Sequence, residues 1–267
     1  MRGDEAALVV EGIKLAFGGQ VVVDEVSLDV SAGELVGLVG PNGAGKTSVL
    51  NCLSGIYQPQ RGRARLDGHD LLGTPPARRC RLGLGRTFQH MQLLDEHTCL
   101  ENVLVGRHSH MRGGVFLNAL YVGIAAAQER ANAKMAEAAL ERCGVGEFRD
   151  SRISDLPYGL RKRVDAARAL AMEPSVLLLD EPMAGLSGPE REAMVGVIEA
   201  IRSEGLTLVM IEHDIEIMRN LSDRMLVLDQ GRVLAEGRPD DVLAEGSVRE
   251  AFLGIGNEQE RSKPNVD

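Results

Sequence analysis

Leu8–Phe17 and Val21–Val30 are largely apolar segments, and in the second Val26, Leu28 and Val30 alternate with Ser27, Asp29 and Ser31 at a period of two. That period buries one face of the second segment, and the two segments are read as strands separated by Gly18-Gly19. Leu35–Val39, Ser175–Leu179 and Leu206–Ile211 are continuous apolar runs instead, and read as buried strands. A short strand is expected at Arg63–Leu66, another over Gly83–Gln89, and a hairpin where Arg224–Asp229 and Arg232–Glu236 flank Gln230-Gly231. Helical spacing follows Thr47 and ends at Gly55. It returns at Leu160–Met172 and again from Pro189 to about Ser203, where Met194, Val195, Val197, Ile198 and Ile201 form the apolar side. Short helices are predicted from Pro76 to Arg81 and after Pro239.

Between His90 and about Asp155 the strand patterns vanish, and helices are predicted at Leu100–Arg107, Val115–Ala127 and Gln128–Cys143. The simplest organisation is an α/β core formed by residues 1–89 and 156–254, a helical lobe of residues 90–155 inserted into it, and a polar tail at 255–267. A continuous domain with long surface helices is the other reading.

The chain is organised around Gly40-Pro41-Asn42-Gly43-Ala44-Gly45-Lys46-Thr47, which follows a strand and opens a helix. This is a phosphate-binding loop in the context it requires. Its glycines let successive N–H groups converge on phosphate oxygens, and the helix N-terminus adds partial positive charge. Lys46 can reach the β and γ phosphates, the Thr47 hydroxyl can hold Mg²⁺, and Ser48 completes the binding stretch. Further along, Val176–Leu179 ends in Asp180 and Glu181. An apolar strand ending in a carboxylate has the form of a Walker B element. Asp180 can hold a water of the Mg²⁺ shell, and Glu181 can orient and deprotonate the attacking water.

The composition narrows this picture only slightly. With 267 residues, 44% hydrophobic and 26% charged, the chain can bury a sizeable core. A net charge of −9 argues against broad non-specific binding of nucleic acid. The four cysteines, Cys52, Cys80, Cys99 and Cys143, include no C-x-x-C pair, so zinc and disulfide readings are weak and a reducing, cytoplasmic setting is expected. The first residues do not form a secretory signal, and Val115–Ala127 is too short to span a bilayer, so any membrane role is expected to come through a partner.

Taken together, the order of motifs resembles the ATP-binding subunits of ABC transporters over almost the whole chain. It runs from Phe17 through the phosphate loop, Arg86-Thr87-Phe88-Gln89, the helical stretch, Leu156-Pro157-Tyr158-Gly159, Asp180-Glu181 and Ala184-Gly185-Leu186-Ser187 to Glu212-His213-Asp214. The resemblance implies a P-loop NTPase with a RecA-like core, an antiparallel β-subdomain and an inserted all-helical lobe. It implies that Phe17 stacks on adenine with Val22 beside it, and that Gln89 contacts Mg²⁺ and the water at the junction of core and lobe. It also implies that His213 bridges the γ-phosphate and the catalytic carboxylate. Taken singly, Phe17 would be ordinary packing and His213 a structural strand-end residue.

Where such subunits have the signature L-S-G-G-Q, this chain has Leu156-Pro157-Tyr158-Gly159-Leu160. Pro157 removes the serine hydroxyl and Leu160 the polar glutamine. Gly159 and a helix N-terminus followed by Arg161, Lys162 and Arg163 remain as an anion-binding end. Either the altered signature still works or it makes a weakened half-site. Its aromatic third position, together with Phe17-Gly18-Gly19, Ala184-Gly185-Leu186, Ile211-Glu212-His213-Asp214 and Ala251-Phe252-Leu253-Gly254, looks like the branch that imports branched-chain amino acids. That resemblance implies ATP and Mg²⁺ as cofactors and a second ATPase subunit, identical or a paralogue. It also implies permease subunits, an indirect extracytoplasmic solute-binding protein, and a place on the cytoplasmic face of the membrane. Val115–Ala127 is equally suited to dock a permease helix or to fill the lobe. Two rivals are a soluble ABC-type ATPase acting on DNA or ribosomes and a small-molecule kinase. The first usually carries two ATPase halves or a long coiled coil, and the second needs neither a signature helix nor His213.

Overall fold

The structure, a computed structural model, describes residues 6–87, 91–107 and 122–252. In chain order its elements begin with β1 (Ala6–Phe17), β2 (Gln20–Ser31), β3 (Leu35–Val39), α1 (Lys46–Ser54), β4 (Arg61–Leu66) and β5 (His69–Asp70). Next come α2 (Pro76–Arg81), β6 (Leu84–Arg86), α3 (Cys99–Arg107), α4 (Val122–Arg142), α5 (Tyr158–Leu170), β7 (Val176–Asp180) and α6 (Gly188–Ser203). The last are β8 (Thr207–Ile211), α7 (Ile215–Leu221), β9 (Arg224–Asp229), β10 (Arg232–Gly237) and α8 (Pro239–Ala244). The chain forms two compact units, one of residues 1–75 with 207–267 and one of residues 76–206.

In the first unit β2, β1, β4 and β5 form an antiparallel sheet in that order. The period-two pattern of β2 is realised: Val26, Leu28 and Val30 are buried, while Ser27, Asp29 and Ser31 face out. A second set of strands runs β10-β9-β3-β8, with β3 parallel to both β8 and β9 and the β9–β10 hairpin antiparallel. β3 and β8 are buried at every position, which is why their sequences are apolar without alternation. This arrangement fixes the C-terminal end of β3, where the phosphate loop begins.

In the second unit β6 and β7 pair in parallel. Helices α3, α4 and α5 pack on one another around Cys99, Val103, Ala136, Leu140, Cys143 and Val164, all fully buried. Burial pushes the Cys143 thiol up to about 12 and keeps it protonated. Arg107 closes α3 onto the end of α5, donating to the Ala171 carbonyl at 2.8 Å and pairing with Glu173. The predicted lobe of 90–155 falls within this unit, which also holds α5, β7 and α6.

Several boundaries differ from expectation. No helix starts at Gln128, because α4 runs unbroken from Val122 to Arg142. Ala125-Ala126-Ala127-Gln128-Glu129 contains only good helix formers and nothing to stop a helix. α5 starts at Tyr158, two residues before Leu160, with Pro157 as its N-cap. α7 and a helix over 246–252 were not predicted. Each is about two turns long, too short for a helical period to register. The expected polar tail, and the part of Val115–Ala127 before Val122, lie outside the described residues.

Candidate nucleotide site

The phosphate loop leaves β3 and enters α1 without a side-chain cap. Gly45, the N-cap residue, has φ of 100° and supplies no side-chain cap, and the first turn carries no acid. The N-terminus of this nine-residue helix thus turns its partial positive charge toward the loop, where an anion is favoured. Two glycines are required by close approach. A Cβ on Gly40, at φ of 143°, would run into the carbonyl of Leu228, and one on Gly45 would lie 2.7 Å from the carbonyl of Val22. Lys46 is 6% exposed and folds back over the loop, donating from Nζ to the carbonyls of Gly40 at 2.6 Å and Pro41 at 2.8 Å. Its ammonium is therefore held at the loop ahead of any phosphate. Ala44 is buried, Pro41, Thr47 and Ser48 are half-buried, and Asn42 and Gly43 are exposed.

Val22 is brought to this loop through its carbonyl against Gly45, and next to it the Asp24 amide donates to Gly231, whose own amide donates to Ala44. Phe17 ends β1 with 48% of its surface open, and its ring meets Tyr57 edge-on at 5.0 Å and 77°. A half-open ring braced from one side is suited to stack a planar base. His213 follows β8 and is exposed, with its amide donating to the Glu212 carboxylate. Asp214 caps α7 by accepting from the amides of Glu216 and Ile217. This cap stops the strand where His213 sits.

In the second unit Asp180 ends β7 at 1% exposure. Its Oδ2 accepts from Arg86 Nη2 at 2.8 Å, and its amide donates to the Thr87 hydroxyl at 3.4 Å. Among the described residues, Oδ1 is buried with no hydrogen-bond partner. A buried carboxylate oxygen left without a donor is costly. A hydrated divalent cation supplies that donor, so this oxygen fits a place in a Mg²⁺ shell. Glu181 is 8% exposed and holds a backbone φ of 49°, rare for a residue with a side chain. Gln89, expected beside them, lies outside the described residues.

The altered signature begins α5. Leu156 and Gly159 are buried, Leu160 is half-buried, and Pro157 and Tyr158 are exposed. The predicted cationic anion-binding end is used differently. Arg161 donates to the carbonyls of Leu156 and Ser154, both at 2.8 Å, Arg163 to Gly144 at 3.0 Å, and Lys162 to Glu181 at 3.3 Å. The amide of Gly159 donates to the Glu190 carboxylate at 3.2 Å. All three cations thus serve main-chain carbonyls of their own unit.

Arg86, Thr87, Lys162 and Glu190 are the residues that sequence reasoning left without individual roles. Arg86 had a visible signal, an arginine closing the otherwise apolar Leu84-Gly85-Arg86. A charge in such a strand is buried only when paired. Glu190 had one too, the Ser-x-x-Glu spacing from Ser187, and it forms a full capping box.

The glycine-rich loop between β3 and α1, with Lys46 folded over it, defines a nucleotide-binding protein of the P-loop class. Comparison with known proteins narrows the class. Residues 23–184 match the ABC transporter family. The chain is 38% identical over 248 residues to BraF of Pseudomonas aeruginosa, a high-affinity branched-chain amino acid transport ATP-binding protein, covering 92% of this chain and 97% of that one. It is 39% identical over 251 residues to LivG of Salmonella typhimurium, of the same description, again covering 92% and 97%. An ATP-binding cassette of an ABC transporter in its ADP conformation superposes with a TM-score of 0.81 at 31% identity, over 94% of this chain and 99% of that one. A nucleotide-free cassette gives 0.81 at 30% identity, over 93% and 99%. The chain belongs to the ATP-binding subunits of ABC transporters, and it is an ATPase that powers transport. Among the described residues no helix is long and apolar enough to cross a membrane.

Proposed function

We propose that the chain is the ATP-hydrolysing subunit of an importer for branched-chain or other hydrophobic amino acids. The observation that carries the substrate class is the 38–39% identity, over 92% of the chain, to subunits of that description. On this reading the subunit sits at the cytoplasmic face of the membrane, held by permease subunits that grip the helical lobe of 90–155, and an extracytoplasmic binding protein delivers the solute.

In the proposed mechanism the amides of Gly43 to Thr47 and the Lys46 ammonium hold the phosphates of ATP, while Phe17 and Val22 hold the adenine. Thr47, Gln89 and Asp180 would hold Mg²⁺, directly or through water. When bound, the ion neutralises phosphate charge and polarises the γ-phosphoryl group. Glu181 orients a water and takes its proton as the oxygen attacks the γ-phosphorus and the β–γ bridging oxygen leaves with ADP. His213 steadies the γ-phosphate and the Glu181 carboxylate. A second ATPase subunit, identical or a paralogue, offers its signature across the nucleotide, and Leu156 to Leu160 are offered in return. Closure of the pair on ATP moves the permease, and hydrolysis reopens it.

The test is reconstitution of the chain with its permease, second ATPase and binding protein in proteoliposomes. ATP-driven uptake of leucine, isoleucine or valine, well above that of a charged amino acid, is expected. Uptake of a polar or charged solute alone would overturn the substrate assignment.

A further inference from the structure

We infer that Lys162, on the signature helix, is a positioning residue for Glu181 of the same chain, an inference that rests on the reading of Glu181 as the group that activates water. Glu181 has φ of 49°, a left-handed conformation that an L residue with a Cβ keeps only when its surroundings enforce it. Its carbonyl is where that enforcement is applied. It accepts from the Ala184 amide at 3.2 Å, which closes the turn after β7, and from Lys162 Nζ at 3.3 Å. The lysine is 4% exposed, so its ammonium is directed at this carbonyl inside the unit and away from solvent. A buried ammonium is tolerated where acceptors meet it, and a peptide carbonyl pointing at it is one.

The contact belongs to a wider attachment. Lys162 Nζ also lies 5.9 Å from the centre of the Tyr158 ring, and the Tyr158 ring lies 3.2 Å from where a Cβ on Gly185 would be. One turn away Gly159 is tied to Glu190. The first two turns of α5 therefore hold the segment from Glu181 to Glu190 at three points. Of the three, Lys162 is the one that touches the peptide of Glu181 itself. Displacement of that peptide moves the Cα of Glu181 and the carboxylate with it, and misplacement of a catalytic group by about 1 Å lowers a rate by roughly 10²-fold. The signature helix thus sets the aim of its own chain's carboxylate through a side chain three residues past Gly159.

The experiment uses the full-length chain with its partner subunits and MgATP. Lys162→Met keeps the aliphatic stem and removes the donor. It is expected to lower kcat by about 10- to 100-fold while leaving the MgATP dissociation constant within about twofold. Lys162→Arg, which restores a cationic donor, is expected to recover most of the loss. In a Glu181→Gln background Lys162→Met is expected to leave the residual rate unchanged, because the group it positions is already gone. Wild-type kcat in Lys162→Met, or the same fold-loss in both backgrounds, would overturn the inference. Retained turnover in Glu181→Gln alone would overturn the reading of Glu181 instead. If Lys162→Met does not fold, Lys162→Gln, which keeps a neutral donor on a shorter stem, is carried through the same cycle with a smaller expected loss; equal losses in both backgrounds would again overturn it.

Discussion

Gly159 and Glu190 join two helix N-termini through one carboxylate. Glu190 Oε1 accepts from the Gly159 amide at the start of α5, while Oε2 accepts from the Ser187 amide at 2.9 Å and the Ser187 hydroxyl at 2.7 Å at the start of α6. A Cβ on Gly159 would lie 2.5 Å from Oε1, so glycine is needed for the carboxylate to come this close. The Ser187 hydroxyl, followed by the Ser187 amide and with a smaller share from Gly159, holds this carboxyl below the usual range. The folded group therefore ionises more readily than the unfolded one. Its contribution to stability is complete above the unfolded value of about 4.3 and disappears as pH falls through the folded value. Urea unfolding at pH 7, 5, 4 and 3 should show a steeper acid loss in the wild type than in Glu190→Gln. Parallel curves would show that this carboxylate does not link the two helices.

Pro157 caps α5 with φ of −56° and ψ of 155° and no side-chain hydrogen bond. Serine tolerates that extended backbone and supplies an oxygen for the first-turn amides. Pro157→Ser should stabilise the helix by about 0.5–1 kcal/mol, which is roughly 1–4 °C in melting temperature for a protein of this size. On the reading that the altered signature makes a weakened half-site, it should also raise ATPase activity with the cognate partner. Unchanged or lower activity would discard the weakened half-site and leave the signature as a working variant.

The Arg86–Asp180 pair is buried on both sides, with the two side chains 6% and 1% exposed. Removing one partner of such a pair costs about 3–5 kcal/mol, because the other charge stays behind without compensation. Arg86→Met should lower the unfolding free energy by about that amount, and adding Asp180→Asn should recover much of it. A loss below about 1 kcal/mol in urea titration would mean that the pair does not hold β6 to β7.

The phosphate loop was legible because its chemistry is local. Lys46 and the converging amides lie within Gly40–Thr47, so the spacing shows them, while the carbonyls of Leu228 and Val22 that require glycine at 40 and 45 come from distant parts of the chain. Asp180 and Glu181 were legible for a similar reason, as acids at the end of a fully apolar strand. The partners of Arg161, Lys162 and Arg163 were not legible. Three adjacent cations look alike in sequence, yet their acceptors, Ser154, Leu156, Gly144 and Glu181, are set by turns up to about twenty residues away. The boundary expected at Gln128 is absent because the chain changes there from apolar to charged residues without any residue that breaks a helix. Arg86 was read as part of a motif, and only the fold shows that it meets Asp180.

On the proposed function, ATP held at Gly40–Thr47 is hydrolysed through Glu181 in a site that a second ATPase subunit completes. Sedimentation and turnover of Glu181→Gln, together with its partner ATPase subunit where that is distinct, test this directly. The variant should bind MgATP as the wild type does, associate into a stable pair of ATPase subunits with MgATP but not with ADP, and turn over at least about 100-fold more slowly. Turnover at the wild-type rate, or separate subunits at saturating MgATP, would contradict it.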